Sequence, residues 1–312
     1  MPTSATHPLV RSFLRGMRWA PTTEISAVSV LNRWHRWLTE RGVELVEASR
    51  DDCEMYLAER EAAGIAAATR QVDWRMLRAL HHWLADEGEA DRNPMARVKA
   101  PTVSETPVKV LDEREYRALV ASCDRRTTGG RRDEAILSLL WWSGLRRSEV
   151  CALDLEALDL RAGTVTIGSR AFTTKTNKVR RVPLAGETVA AFDRYLRRRG
   201  DEPGPLFLSE RGDTHDERRL RPNSIQLMIR RRATQARLGR PVGAHEFRRA
   251  MAVRHKRRGG SDPALMAIAG WSSIRMVDRY TRMEREELAA EEFHRLIDDS
   301  APAARRRGRR VS

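Results

Sequence analysis

Apolar residues recur with helical period through most of the chain. In "EISAVSVLNRWHRWLTERG", Ile25, Val28, Leu31 and Leu38 fall at helical spacing and Gly42 ends the run. "RDDCEMYLAEREAAG" opens on aspartates suited to capping and stops at Gly64. "AATRQVDWRMLRALHHWLADEG" places Val72, Met76, Leu80 and Trp83 near one face and stops at Gly88. Pro94 and Pro101 in "RNPMARVKAP" then break the pattern. These runs predict a small all-helical domain over residues 23–100, preceded by an irregular basic arm at 1–22. Residues 101–110 have two prolines and no periodicity, which reads as a linker.

Beyond the linker the pattern changes. "LDEREYRALVAS" predicts a helix with Asp112 as cap and Glu115, three residues on, completing a capping box. "RRDEAILSLLWWSGLRRSEVCALDLEALDL" reads as helix, glycine turn and second helix. "GTVTI" (163–167) and "KVRRVPL" (178–184) are β-rich and predict a small antiparallel sheet whose strands are joined by "GSRAFTTKTN". Helices resume after Glu187, and Pro222 suits the first turn of one of them. "REELAAEEFHRLIDD" is amphipathic, with Ala289, Phe293, Leu296 and Ile297 on one side. Residues 300–312 form a basic tail predicted to be disordered. The fold class expected is therefore mainly α with a small antiparallel β-sheet: a helical domain, then an α+β domain over 111–299.

A length of 312 residues suits two domains, and 41% apolar residues suffice for sizeable cores. No apolar run approaches the ~20 residues that span a bilayer, and the N-terminus lacks the apolar core and cleavage site of a secretory signal. A soluble, cytoplasmic protein without a membrane partner is expected. Cys53, Cys123 and Cys151 are odd in number and lack metal-type spacing, so they read as small buried residues. Charge adds the first functional clue. Lys and Arg total 58 against 43 Asp and Glu, a net of +15. An arginine-rich field of that size attracts polyanions, and the planar guanidinium matches phosphate oxygens. Arginine and alanine enrichment also follows from a GC-rich genome, but that bias does not by itself raise net charge this far. Nucleic acid is the expected partner.

Four stretches combine groups useful at a phosphodiester: "SGLRRSE", "TKTNKVRRVPL", "AHEFRR" and "GWSSIRMVDRYTR". Arg146 follows a glycine turn, and Glu149 lies three residues on, where a carboxylate holds an arginine in one pose. His245 and Arg248 share a helical face. Lys175 falls at a polar hairpin tip, and Trp271 offers an indole N–H after Gly270. Tyr280, one of four tyrosines, sits between Arg279 and Arg282, a polar setting unusual for a packing residue. Taken one at a time, these are equally a surface ion pair, a solvated basic face or a packed aromatic.

The order of Gly-Leu-Arg, a lysine before "RxVPL", His-x-x-Arg, Gly-Trp-Ser-Ser and a tyrosine nine residues later resembles the tyrosine recombinase, or phage integrase, family over roughly residues 23–297. The resemblance implies a helical core-binding domain that holds DNA, followed by a catalytic domain. It implies that Arg146 and Arg248 grip the scissile phosphate, and that Lys175 rather than Lys178 is the hairpin lysine. It further implies that His245 is the histidine of the second box, Trp271 a histidine-or-tryptophan position, and Tyr280 the nucleophile. The expected reaction is strand cleavage and rejoining through a 3′-phosphotyrosine, with no cofactor, metal, ATP or small-molecule substrate. The expected partners are double-stranded DNA and further copies of the chain, as a tetramer on two duplexes. The last amphipathic helix then docks on a neighbouring protomer, or packs on its own domain. Two features depart from the family pattern: Arg249 stands where histidine is frequent, and the hairpin is longer than usual. A type IB topoisomerase and a catalytically inactive DNA-binding protein are the alternative readings.

Overall fold

The computed structural model describes residues 6–103, 109–168, 179–210, 212, 214 and 217–300. The chain divides into two compact units, Met1–Thr106 and Pro107–Ser312. The expected hairpin tip with Lys175, and all of the basic tail beyond Ser300, lie outside the described residues.

The first unit is built from α1 (Pro8–Met17), α2 (Pro21–Thr39), α3 (Arg50–Ala62) and α4 (Ala67–Asp86), closed by a 3-10 turn at Pro94–Arg97. The expectation of an irregular arm over 1–22 is corrected here. Val10, Phe13 and Leu14 stand one helical turn apart and are buried in the core, with His7 capping the helix by accepting from the Leu9 N–H. Arg11 between those apolar positions, and Arg15 and Arg18 just after them, obscure the stripe in the sequence. Helix α2 buries Ala27, Val30, Leu31, Trp34, Trp37 and Leu38, whereas Ile25 is 71% exposed. Its inner face is thus set by the tryptophans and not by the line through Ile25. Helix α3 starts at Ser49, which forms a reciprocal cap with Asp52. Helix α4 buries Leu77, Leu80 and Leu84, together with Asp73 and His81, so polar residues occupy positions that an apolar count leaves blank. Truncating a leucine such as Leu80 to alanine in such a core costs about 2–5 kcal/mol.

The second unit contains α5 (Glu113–Ala121), α6 (Thr128–Ser143), α7 (Arg147–Cys151), strands β1 (Leu158–Asp159), β2 (Thr164–Ile167) and β3 (Arg180–Pro183), then α8 (Gly186–Arg199), α9 (Pro222–Gln235), α10 (Ala244–Arg257), α11 (Asp262–Ala269), α12 (Ile274–Thr281) and α13 (Arg285–Ser300). Asp112 and Glu115 form the expected reciprocal cap of α5, and Pro222 is the first residue of α9. Helix α6 is buried on nearly every side through Ala135, Ile136, Leu137, Leu139, Leu140 and Trp141, as a central helix must be; α5, α8 and α10 pack around it. The sheet has the order β1-β2-β3, antiparallel throughout, with Val165 opposite Val182 and Ile167 opposite Arg180. Strand β1, two residues long, was not anticipated. Alternation puts Val165, Ile167 and Val182 inward. It puts Arg180, two residues before Val182, on that same inner side. Cys53, Cys123 and Cys151 are free and buried. Among the described residues no helix is long and apolar enough to cross a membrane.

Candidate active site

The site forms where the end of α6, the start of α7, the start of α10, the end of α11 and helix α12 converge in the second unit. Gly144 ends α6 in the left-handed region at φ 60°. A Cβ there would stand 2.6 Å from Met251 Cε and 3.4 Å from Arg248 Cα, so glycine suits both this backbone conformation and the close approach of the turn to α10. The turn delivers Arg146 to the N-terminus of α7. Glu149, buried on the first turn, accepts from the Arg146 backbone N–H at 2.7 Å, from Arg146 Nη1 at 3.1 Å and from Arg180 Nη2 at 3.0 Å. One carboxylate thereby caps the helix and fixes two guanidinium groups.

Helix α10 carries His245 and Arg248 on one face. Arg248 is only 2% exposed. Its Nη1 donates to the Gly144 carbonyl and its Nη2 to the Ala269 carbonyl, both at 2.6 Å. The Tyr280 phenol lies near enough to favour the charged form of Arg248. Burial, and then the nearby Arg146, bring its pKa down to about 10, which leaves it fully cationic at neutral pH. Its buried Nε has no partner among the described residues. His245 is accessible to solvent on one side. Desolvation of the rest of the ring, then Arg248, Arg279, Arg249 and Arg146 in turn, hold its pKa below the usual histidine value, so the imidazole is neutral at pH 7.

Gly270 ends α11 in the left-handed region and delivers Trp271. The indole is buried, and its Nε1–H has no partner among the described residues. It stacks on Tyr280 with ring centroids 4.8 Å apart and planes 12° apart; the His245 ring lies 5.1 Å from Tyr280. The Arg248 guanidinium stands over both aromatic faces, 5.0 Å from Trp271 and 5.9 Å from Tyr280.

The reading of Tyr280 as a residue outside packing is corrected. It is only 7% exposed and belongs to a small apolar cluster with Met251, Ala252, Leu265, Ala269, Trp271 and Val277. Its apolar company arrives from α10 and α11, not from its neighbours in sequence. Arg146, His245, Arg248, Trp271 and Tyr280 are thus gathered around one point, while Lys175 lies outside the described residues. Sequence reasoning gave no role to Arg180, the arginine of the "RxVPL" box, although its place two residues before Val182 sets it on an inward strand face. It also missed Arg279, which faces His245. The assembly is a cationic, partly dry cradle with two unanswered N–H donors beside a phenol and a neutral imidazole. That set of groups suits an oxyanion such as a phosphodiester. Among the described residues no group of three or more His, Cys, Asp or Glu side chains is arranged to hold a metal ion.

Comparison with known proteins agrees with this architecture. Residues 109–287 match the model described as Phage integrase family, and residues 9–88 match Phage integrase, N-terminal SAM-like domain. The chain is 32% identical over 249 residues to tyrosine recombinase XerC of Myxococcus xanthus, covering 77% of this chain and 78% of that protein. It is 29% identical over 293 residues to tyrosine recombinase XerD of Pseudomonas aeruginosa, covering 90% and 95%. In fold it is similar to a lambda integrase tetramer bound to a Holliday junction, with a TM-score of 0.70, 16% identity, and coverage of 88% of this chain and 76% of that one.

Proposed function

The chain belongs to the phage integrase family, and we propose that it is a tyrosine-type site-specific DNA recombinase that cuts and rejoins strands through a covalent 3′-phosphotyrosine. The observation that carries this reading is the meeting of Tyr280 with His245, Trp271 and Arg248 in a cradle that keeps two buried N–H groups unpaired.

Phosphodiester charge repels a nucleophile, and more charge gathers on the oxygens as the reaction proceeds. Arg146 and Arg248 neutralise that charge with fixed N–H donors, and the Trp271 indole adds a neutral one. Attack through a phenol oxygen displaces its proton, so a proton acceptor is needed. His245, held neutral, fills that role. The Tyr280 oxygen forms a bond to phosphorus as the bond from phosphorus to the 5′ oxygen breaks. Lys175 gives a proton to that leaving oxygen. The 5′ hydroxyl of a second strand then attacks the phosphotyrosine, and the phenol recovers its proton. One phosphodiester replaces another, so neither ATP nor a metal is required.

Double-stranded DNA is the partner, held by both units, and exchange between two duplexes calls for four copies of the chain. The first half of α13 is tied to α10 by Arg257, which pairs with Glu287 and Glu291. Its second half leaves Phe293 60% and Ile297 51% exposed, an apolar face suited to a second copy.

The test is recovery of covalent adducts. Cells expressing the chain are denatured rapidly, the protein is purified stringently, and attached DNA is sequenced, with Tyr280→Phe alongside. The expected outcome is DNA ending at one defined sequence with the wild type and none with the variant. Adducts scattered over many sequences would point to a topoisomerase, and adducts that persist in Tyr280→Phe would refute the mechanism.

A further inference from the structure

Arg180 lies on β3, outside the residues to which a role at the phosphate has been given. The period of the strand fixes where it points. Val182 packs into the core, so Arg180 faces inward too, opposite Ile167 on β2. A charged side chain directed at a core must find partners, and Arg180 finds them on two different segments. Its Nη2 donates to Glu149 Oε1 at 3.0 Å, and its Nε donates to the Ile268 carbonyl at 3.2 Å. Gly270 lies directly on the guanidinium: a Cβ there would come within 2.7 Å of Arg180 Cζ and 2.8 Å of Nη1.

Each of these partners leads to the candidate active site. Glu149 also holds the Arg146 backbone N–H and Nη1. Ile268 stands three residues before Trp271, and its carbonyl is one of those that the end of α11 leaves without an intrahelical donor. The next carbonyl, of Ala269, is taken by Arg248. Two guanidinium groups thus clamp neighbouring carbonyls at the turn that delivers Trp271, where positive charge also complements the helix C-terminus. Arg180 joins that clamp to Arg146 through Glu149.

We infer that Arg180 is a positioning residue for strand cleavage: its guanidinium sets the Arg146–Glu149 pair and the Trp271 turn in one register, without touching the phosphate itself. This rests on the recombinase function proposed above. Lysine keeps the charge but is a point donor on a flexible stem and cannot span both partners in a fixed fork. Misplacing catalytic groups by about 1 Å costs ~10²-fold in rate.

The experiment uses the full chain and a duplex carrying the sequence recovered from the covalent adducts. Single-turnover cleavage and DNA affinity are measured for wild type, Arg180→Gln, Arg180→Lys, Arg146→Ala and Arg146→Ala/Arg180→Gln. The expected result is a ~10–100-fold fall in cleavage rate for Arg180→Gln, with affinity within about twofold of wild type. Partial recovery is expected in Arg180→Lys, and little further loss when Arg180→Gln is added to Arg146→Ala. A merely structural residue would lower affinity and rate together and would add its full loss to Arg146→Ala; either result overturns the inference. Amide hydrogen exchange on Arg180→Gln is the second readout. Faster exchange is expected in residues 144–150 and 268–273 together, and unchanged exchange in either segment overturns the inference. If the wild type forms no adduct, the cleavage assays have no duplex to use, and hydrogen exchange alone decides whether Arg180 couples the two segments.

Discussion

The two units bury polar side chains to opposite ends. In the first, Asp73 accepts from Arg33 Nη2 and Arg60 Nε, each at 3.0 Å. Equally buried, Trp34 Nε1 donates to His81 Nε2 at 3.1 Å. Among the described residues, no buried side-chain polar atom of this unit lacks a partner. In the second unit, Arg199 Nε, Arg254 Nη1 and Glu284 Oε2 are buried without a partner among the described residues at separate places, whereas Arg248 Nε and Trp271 Nε1 are unanswered together at the candidate active site. A buried donor without a partner costs about 1–3 kcal/mol. What sets Arg248 and Trp271 apart is that two open donors meet at one place, beside a phenol and an imidazole, in an arrangement that an oxyanion would complete.

The largest effect that would sharpen this contrast is expected at Arg248. Two of its nitrogens brace Gly144 and Ala269, so the guanidinium reaches its pose by structural bonds and still offers Nε. In Arg248→Lys one nitrogen replaces the fork, and one of the two carbonyls loses its donor. Cleavage of the recovered duplex is expected to fall ~10²–10³-fold, the typical loss when a fixed oxyanion donor is removed. A variant that cleaves at the wild-type rate would show that the fork does no chemistry and that the contrast between the units is accidental.

The next effect lies in the first unit and depends on pH. Burial pushes the His81 pKa down to about 4, against about 6.5 for an exposed histidine. The unfolded chain therefore binds a proton in a range where the folded chain does not. The stability is complete above pH ~6.5 and is lost as pH falls toward 4. Between pH 7.5 and pH 5 the loss from this residue comes to about 2 kcal/mol. Urea unfolding of the full chain, followed by tryptophan fluorescence, should show this loss and should show less of it in His81→Gln. That variant cannot titrate, while its amide oxygen can accept from Trp34. Equal acid sensitivity in both proteins would mean that the Trp34–His81 pair is not the buried, neutral unit described.

Some of this was legible in the sequence and some was not, for identifiable reasons. Local chemistry carried well: Asp112 with Glu115 and Pro222 act within one helical turn of themselves and stand where their types predict. The ordered boxes around Arg146, His245, Arg248, Trp271 and Tyr280 pointed to one shared location, because their spacing is tied to the turns at Gly144 and Gly270. What was missed depends on partners distant in sequence. Helix α1 hides its three buried apolar residues among arginines, Ile25 fits a helical stripe yet faces solvent, and Tyr280 packs only because α10 and α11 come to it. Arg180 is the clearest case. Nothing beside it in the chain announces Glu149 or Ile268, and only the pairing of β2 with β3 turns it inward.

Trp271 gives the finest test of the contrast. Trp271→Phe keeps an aromatic face for Tyr280 and the Arg248 guanidinium but removes the unanswered N–H. If that N–H were structural, its loss would destabilise the fold, as deleting the Trp34 donor should. Because it has no partner in the free protein, its removal is expected to leave thermal stability unchanged or slightly raised, apart from the smaller volume of phenylalanine. With the oxyanion in place the same N–H becomes a bond to a charged acceptor, worth about 1.5 kcal/mol at the low end of such bonds. Cleavage is therefore expected to fall about tenfold, the smallest effect of the series, read as a rate ratio at saturating DNA beside a melting curve. A large loss of stability with no change in rate would place Trp271 with Trp34, as packing, and would leave Arg248 Nε the one open donor identified at the site.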